Sequence, residues 1–223
     1  MAGKEVKIPQ WAQRYLTEKS IKTISDSVHK VEAVTRAEIV PMIVSRSSAI
    51  SHVPVILTLL LLLIFIPLEF YYLNWSDIRV ANFWLGLSAV AAFFISLFLS
   101  RFMWVQRIFT ADVDESMQVW NRAELEFYRQ KIDHTQARTG ILLFVSVMER
   151  KAVLLTDQAI CELIPQETWS KILKDFSDRL HENDWEKGFI TAIQRCGELL
   201  TEKFPSQGAQ ARNELANFLI IKE

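Results

Sequence analysis

Apolar positions along the chain fall into three kinds of pattern. Between 20 and 35 they recur at helical spacing, with Ile21, Ile24, Val28, Val31 and Thr35 on one face. Residues 37–44 form a nearly unbroken apolar run, read as a strand. Pro41 in that run has no N–H to offer a ladder, which places the strand at a sheet edge or at a bulge. Then the pattern changes. From Val53 to Leu73 the only charged residue is Glu69, and from Val80 to Ser100 there is none. At about 1.5 Å per residue each run is long enough to cross ~30 Å of hydrocarbon. Residues 74–79 between them are too few for a domain, so the pair is predicted to be a transmembrane hairpin.

After the hairpin the soluble pattern resumes. A helix is predicted over 111–134, capped by Thr110, with Asp112, Asp114 and Glu115 in its first turn. Its buried face is expected to be Val113, Met117, Trp120, Ala123 and Phe127. A strand over 141–147, a tight turn at 148–151 and a strand over 152–156 follow. Two amphipathic helices complete the pattern. One carries Trp169, Ile172, Phe176 and Leu180 after Pro165; the other carries Trp185, Phe189, Ile193, Cys196 and Leu200 and stops near Pro205. The closing LANFLIIKE reads as a short extra strand or as a docking tail. Strand, helix, strand makes the first two strands parallel, and the tight turn makes the third antiparallel to the second. The hairpin (49–107, spans about 53–73 and 80–100) is thus an insertion into one discontinuous domain, residues 1–48 and 108–223.

Composition agrees with a hybrid. Of 223 residues, 50% are hydrophobic and 23% charged, and the mean hydropathy is +0.14. A net charge of -1 with scattered Lys and Arg excludes a basic nucleic-acid footprint. Arg36, Arg46, Arg101 and Arg107 flank the outer ends of the hairpin against Arg79 in its turn. That bias puts both termini on the cytoplasmic side of the membrane. Tyr71, Tyr72, Trp75, Trp84 and Trp104 sit where amphipathic rings prefer, near the interfaces. Ser88, Ala92, Ser96 and Ser100 form a small-residue stripe, a seat either for the first span or for a membrane partner or second copy. Pro67 and Glu69 lie within reach of headgroups, so Glu69 reads as interfacial rather than as a proton relay. Cys161 and Cys196 have no CxxC or His neighbour and read as small buried hydrophobes.

Candidate chemistry is sparse. The chain has no GxSxG, HExxH or P-loop, and His29, His52, His134 and His181 are dispersed. The topology brings Glu38, Thr139, Gly140 and Asp157 to one sheet edge. Two carboxylates beside strand-end carbonyls suit a Ca2+ or Mg2+ ion; the plainer readings are a solvated cap for Asp157 and a surface ion pair for Glu38. At the opposite edge stand Glu149, Arg150 and Lys151, expected to face headgroups. Arg138 and Arg150 are candidate phosphate contacts, although a whole strand separates them.

The segments TRAEIV (35–40), RTGILLFVSVMERKAVLLTDQAI (138–160), PQETW (165–169), GFITAIQRCGELL (188–200) and NEL (213–215) resemble the TPM domain family. It is also called the thylakoid-lumen-phosphatase-like domain. The resemblance covers nearly all of 20–220 outside the hairpin and is greatest to the bacterial branch with two inserted spans. It implies a three-layer α/β/α sandwich around a small mixed sheet. For some members it also implies calcium at acidic residues and weak acid phosphatase activity; for others, accessory roles in photosystem II repair or receptor assembly. This chain departs at TDQAICELIPQ, where many members have a Gly-rich G-Y-G-L-E pattern, leaving Asp157 as the obvious oxygen ligand there. The expectation is a membrane-anchored cytoplasmic accessory module rather than an enzyme, with a divalent cation as its one candidate cofactor. Two alternatives stand beside it: a metal-assisted phosphatase using Asp157 as nucleophile or ligand and Glu38 as ligand or base, and a small oligomeric transporter component.

Overall fold

In a computed structural model, which describes residues 8–48, 53–72, 78–108, 112–206, 215 and 217–223, the chain orders as follows. Helix α1 (Glu18–Glu32) and strand β1 (Glu38–Val44) precede the apolar helices α2 (Val53–Tyr72) and α3 (Ile78–Leu99). Then come α4 (Met103–Ile108), α5 (Asp112–Arg129), β2 (Gly140–Ser146), β3 (Lys151–Thr156), α6 (Gln158–Leu163), α7 (Gln166–His181), α8 (Trp185–Lys203) and β4 (Ile220–Lys222). Two compact units result, residues 1–47 with 116–223 and residues 48–115.

The larger unit is built on a four-stranded mixed sheet of order β3-β2-β1-β4. β1 is parallel to β2 and to β4, and β2 is antiparallel to β3. The C-terminal tail is therefore a strand. Alternation along β1 and β2 divides the core. Ile39, Ile43, Ile141, Leu143 and Val145 pack with Ile24 and Val28 of α1, Phe176 of α7 and Phe189 of α8. Val40, Met42, Val44, Leu142 and Phe144 pack with Val119, Ala123 and Phe127 of α5 and with Ile132. That is the three-layer α/β/α sandwich. Thr17 caps α1 by accepting from the Ser20 N–H at 3.1 Å. Phe176 and Phe189 meet edge to face between α7 and α8, ring centroids 5.0 Å apart.

Several expectations need correction. β1 is an interior strand without a bulge, and Pro41 pairs in register with Leu143. The reason lies in which flank Pro41 turns its nitrogen to. Ile39 donates to the Glu32 carboxylate at 2.9 Å and Ser45 to the Lys222 carbonyl at 3.1 Å, both away from β2. Alternation puts the Pro41 nitrogen on that same flank, where β4 reaches only from Met42 onward. The long helix expected to 134 ends at Arg129, and Lys131 in the left-handed region (φ 57°) leads into a 3-10 turn at Ile132–His134. Its buried face is also rotated: Met117 and Trp120 are 56% and 47% exposed, while Val119, Ala123 and Phe127 are buried. Both faces of α5 are apolar, so spacing alone could not choose. The sheet takes the face that also carries Glu126, which meets Lys222 of β4 at 2.5 Å and Arg122 at 3.3 Å. Burial works to raise that carboxyl, but Lys222 and Arg122 hold it below its usual range. Cys196 is buried, whereas Cys161 is exposed, because α6 is a surface turn; its thiol pairs with the Thr156 hydroxyl at 3.0 Å. The Thr110 cap, the residues 73–77 of the hairpin turn and His52 lie outside the described residues, as do the side chains of Asp112, Val113 and Asp114.

The smaller unit holds α2, α3 and the short α4, whose Val105 packs with Val53 and Leu57. Spans Val53–Tyr71 and Asn82–Leu99 are long and apolar enough to cross a membrane. Ala92 and Ser96 are fully buried and Ser88 nearly so, with Ser96 Oγ 2.6 Å from Thr58 Oγ1 of α2. The stripe, with Ser100 half-buried at its end, seats the neighbouring helix. Outward-facing Leu63, Phe70 and Phe94 stay exposed. Tyr71, Trp84 and Trp104 are exposed as well, while the side chains of Tyr72 and Trp75 lie outside the described residues.

Candidate functional site

The starts of β1 and β2 and the end of β3 meet at one edge of the sheet. Glu38 pairs with Gly140, and the Asp157 N–H donates to the Gly140 carbonyl at 2.9 Å. Glu38, Gly140 and Asp157 thus stand in a row on the α5 face of the sheet, the two acids about 10 Å apart at two strand spacings. What lies between them is backbone. A Cβ on Gly140 would sit 2.4 Å from the Ile132 carbonyl oxygen, so only glycine lets the 3-10 turn pass directly over β2. The turn separates the two carboxylates, and each finds its own surroundings.

Glu38 faces the flank of β1 that β4 leaves uncovered, where it hydrogen-bonds Glu32 from the end of α1. Glu32 also accepts from the Ile39 N–H at 2.9 Å and from the side-chain amide of Asn217, which in turn lies 3.4 Å from His29 Nδ1. Burial first of all, and then the neighbouring Glu38 carboxyl, push Glu32 up to about 8, against the Ile39 N–H, which pulls the other way. Two carboxyls sharing a hydrogen bond need a proton between them, so the pair is held together by protonation. Nothing in the sequence pattern points to Glu32: it ends a helix, and its partners come from β1 and from the C-terminal segment.

Asp157 lies on the other side of the turn, 7% exposed. Its Oδ1 caps α6 by accepting from the Gln158 N–H at 2.7 Å, whereas its Oδ2 is buried with no hydrogen-bond partner among the described residues. This is a buried cap rather than a solvated one. Asp157 forms one wall of a cleft of about 610 Å3 together with Thr156 and Gln158; Phe127 and Tyr128 of α5 form another. The segment Asp133, His134, Thr135 and Arg138 closes it. His134 Nδ1 is 2.8 Å from Asp133 Oδ1, although off the line of a hydrogen bond. Arg138 is held in the left-handed region (φ 51°) by a turn in which its N–H donates to the Thr135 carbonyl at 3.0 Å. Thr135 Oγ1 then accepts from the Thr139 N–H at 3.1 Å, which fixes the loop that presents the guanidinium.

The cleft therefore contains Asp157 and Arg138 from the residues singled out in the sequence, but not Glu38 or Arg150. Arg150 (φ 53°) stands exposed at the far end of β2. Beside it Glu149 is buried, not turned outward: it accepts from the Ser47 N–H at 3.1 Å and from the Ser146 hydroxyl. A hard cation wants six to eight oxygens. The cleft offers it Asp157 and Asp133 beside a guanidinium, and among the described residues no three His, Cys, Asp or Glu side chains gather as a metal-holding group. The donor set does not fit Ca2+ or Mg2+ well. Nor does a nucleophile stand beside a base: Thr135 and Thr156 are bonded to Thr139 and Cys161, and the imidazole of His134 leans on Asp133. Asp133 and His134, which sequence patterns did not mark as a pair, enter the site only through the 3-10 turn.

Residues 104–199 match the TPM domain family. The fold is similar to the NMR structure of the BA42 protein from the psychrophilic bacterium Bizionia argentinensis, with a TM-score of 0.58 and 17% identity, covering 93% of this chain and 95% of that one. At that identity the likeness is one of fold. No curated protein matches the chain in sequence. The matched segment, 104–199, is similar to the TPM domain family, the α/β/α layers agree with the neighbour in fold, and the apolar helices α2 and α3 stand between β1 and α5 in the chain.

Proposed function

We propose that this protein is a membrane-anchored accessory module, a cytoplasmic TPM domain held at a bacterial inner membrane by the α2–α3 hairpin, acting by binding rather than by turnover. The observation that carries this reading is the outward face of the hairpin. Leu63 and Phe70 are each 71% exposed and Phe94 64%, on helices of 20 and 22 residues whose polar side chains turn to each other. In water such a surface would associate; hydrocarbon satisfies it. An even number of spans keeps residues 1–48 and 108–223 on one side, as a discontinuous domain requires, and the arginine bias makes that side cytoplasmic.

The test has two arms. Alkaline carbonate extraction of cell membranes is expected to leave the protein in the pellet, and a single cysteine placed near residue 75 is expected to react with an impermeant maleimide only from outside. Release into the supernatant would overturn the anchoring, and labelling only after lysis would overturn the cytoplasmic placement of the domain. Gentle detergent solubilisation is then expected to give a complex with a stoichiometric partner or a second copy. A monodisperse monomer that hydrolyses a phosphomonoester would replace the accessory reading with the hydrolase one.

A further inference from the structure

Beyond α3 the chain does not run on along the helix axis. Ser96 meets Thr58 of α2, so in the antiparallel pair a straight helix would carry residue 105 about 12 Å past the level of Leu57. Val105 instead packs with Leu57 and Val53 and is 4% exposed, which means that α4 folds back beside the first turns of α2. The bend is made at Ser100–Phe102, where the Arg101 N–H donates to the Phe98 carbonyl at 3.2 Å and the Phe102 N–H to the Leu99 carbonyl at 3.1 Å. Folding back leaves an apolar surface uncovered. Trp104 and Ile108 are 64% and 67% exposed, and Phe102, whose ring meets Phe98 edge to face at 5.4 Å, is exposed beside them. Arg101 is exposed too, with no hydrogen bond or ion pair to its guanidinium among the described residues.

We propose that α4 lies along the headgroup layer of the membrane that the hairpin spans, with Phe102, Trp104 and Ile108 against the upper acyl chains and Arg101 on the phosphate of an anionic phospholipid. Val105 sets the depth, because the first turns of a span stand where headgroups give way to hydrocarbon. Aromatic and branched side chains are stable at that boundary, whereas in water they would form an unsatisfied patch. The surface continues the outward face of α3: Phe98 is exposed on the span, and the membrane that covers it reaches Phe102 through their ring contact. From Val80 to Ala111 the only charged residues are Arg101 and Arg107, a bias that suits an anionic lipid surface. The proposal rests on the anchoring reading and adds to it an element that lies along the bilayer rather than across it.

The test uses nitroxide labels in the full chain, reconstituted in nanodiscs of phosphatidylcholine with or without phosphatidylglycerol. Labels go on Leu63→Cys in the span, on Trp104→Cys and Ile108→Cys, and on Lys174→Cys, exposed on α7, as the aqueous reference. The background is Cys161→Ser; Cys196 is buried and its thiol is pushed up to about 12, so it takes no label. Collisions with oxygen, which concentrates in hydrocarbon, and with a neutral nickel chelate, which stays in water, report depth. Labels at 104 and 108 are expected between the depths of 63 and 174, with chelate collisions at least three-fold rarer than at 174. Phosphatidylglycerol is expected to lower those collisions a further two-fold at 104, and Arg101→Gln to cancel that change. Labels at 104 and 108 as open to the chelate as the one at 174, with 63 shielded, would overturn this proposal and leave the anchoring standing. An open label at 63 would overturn both. Screening of 104 and 108 from oxygen and chelate alike would assign the surface to a protein partner or a second copy and overturn the proposal. Equal collisions in the two lipid mixtures would overturn the contact of Arg101 with lipid phosphate.

Discussion

Glu32 and Asp157 are both buried carboxyls at the same end of the sheet, yet Glu32 engages donors from β1 and from the C-terminal segment, while Asp157 engages one and keeps its second oxygen buried with no hydrogen-bond partner among the described residues. The difference separates two uses of an acid. Around Glu32 the polar groups satisfy one another, and the result is a tie between α1, β1 and the segment leading into β4. Around Asp157 the described residues supply only a helix cap, and the remaining oxygen is buried without a donor. Burial alone does not distinguish them; the accounting of donors does.

Gly140, which keeps the two places apart, should show the largest effect. Gly140→Ala drives a Cβ into the Ile132 backbone and is expected to cost about 3 kcal/mol, read as a lower denaturation midpoint. A near-neutral result would mean that the 3-10 turn moves freely over β2 and does not divide the acids. Next in size is Glu32→Ala, which leaves the Ile39 N–H and the Asn217 amide without their acceptor, at about 2 kcal/mol.

Third comes the pH dependence. The folded state keeps a proton on Glu32 up to about 8, whereas the unfolded chain gives it up near its ordinary 4.5. Because the folded state binds the extra proton in that window, this group's contribution to stability is full below about 4.5 and declines as pH rises through about 8. Glu32→Gln, which imitates the protonated acid, is expected to flatten the decline in urea titrations between pH 5 and pH 9. An unchanged slope in that variant would assign the dependence to other groups.

The smallest effect is expected at Asp157. Asp157→Asn retains an oxygen for the Gln158 N–H and removes a buried charge that has no partner, so stability should change by less than about 0.5 kcal/mol. Asp157→Ala, which removes the cap as well, should cost about 1 kcal/mol. A large loss in the Asn variant would show that Asp157 holds the fold together as Glu32 does, and the contrast would collapse.

Much of the fold was legible in local pattern. The interior faces of α1, α7 and α8, the strands on either side of the 148–151 turn and the two long apolar helices follow from period and length, because each depends on neighbours in sequence. The resemblance of TRAEIV and the 138–160 segment carried the layer order, while the tight turn at 148–151 placed Asp157 beside Gly140. Pro41 was misread because the rule that excludes proline from interior strands is a rule about one flank, and only the length of β4 reveals that the flank is open. Met117 and Trp120 were misread because α5 is apolar on two faces, and Lys222, far away in sequence, helps decide which one meets the sheet.

The sequence by itself determined most of the elements, the two apolar spans and the resemblance of its later half to a family, since helical and strand periodicity and span length are written in consecutive residues. Only the tertiary structure decided which acids become partners. Glu32 meets a strand N–H seven positions on and an amide 185 positions on, and Asp157 meets a turn that glycine at 140 admits. Donors and acceptors are matched through space, and the row of three residues across β1, β2 and β3 exists only once the strands are in register.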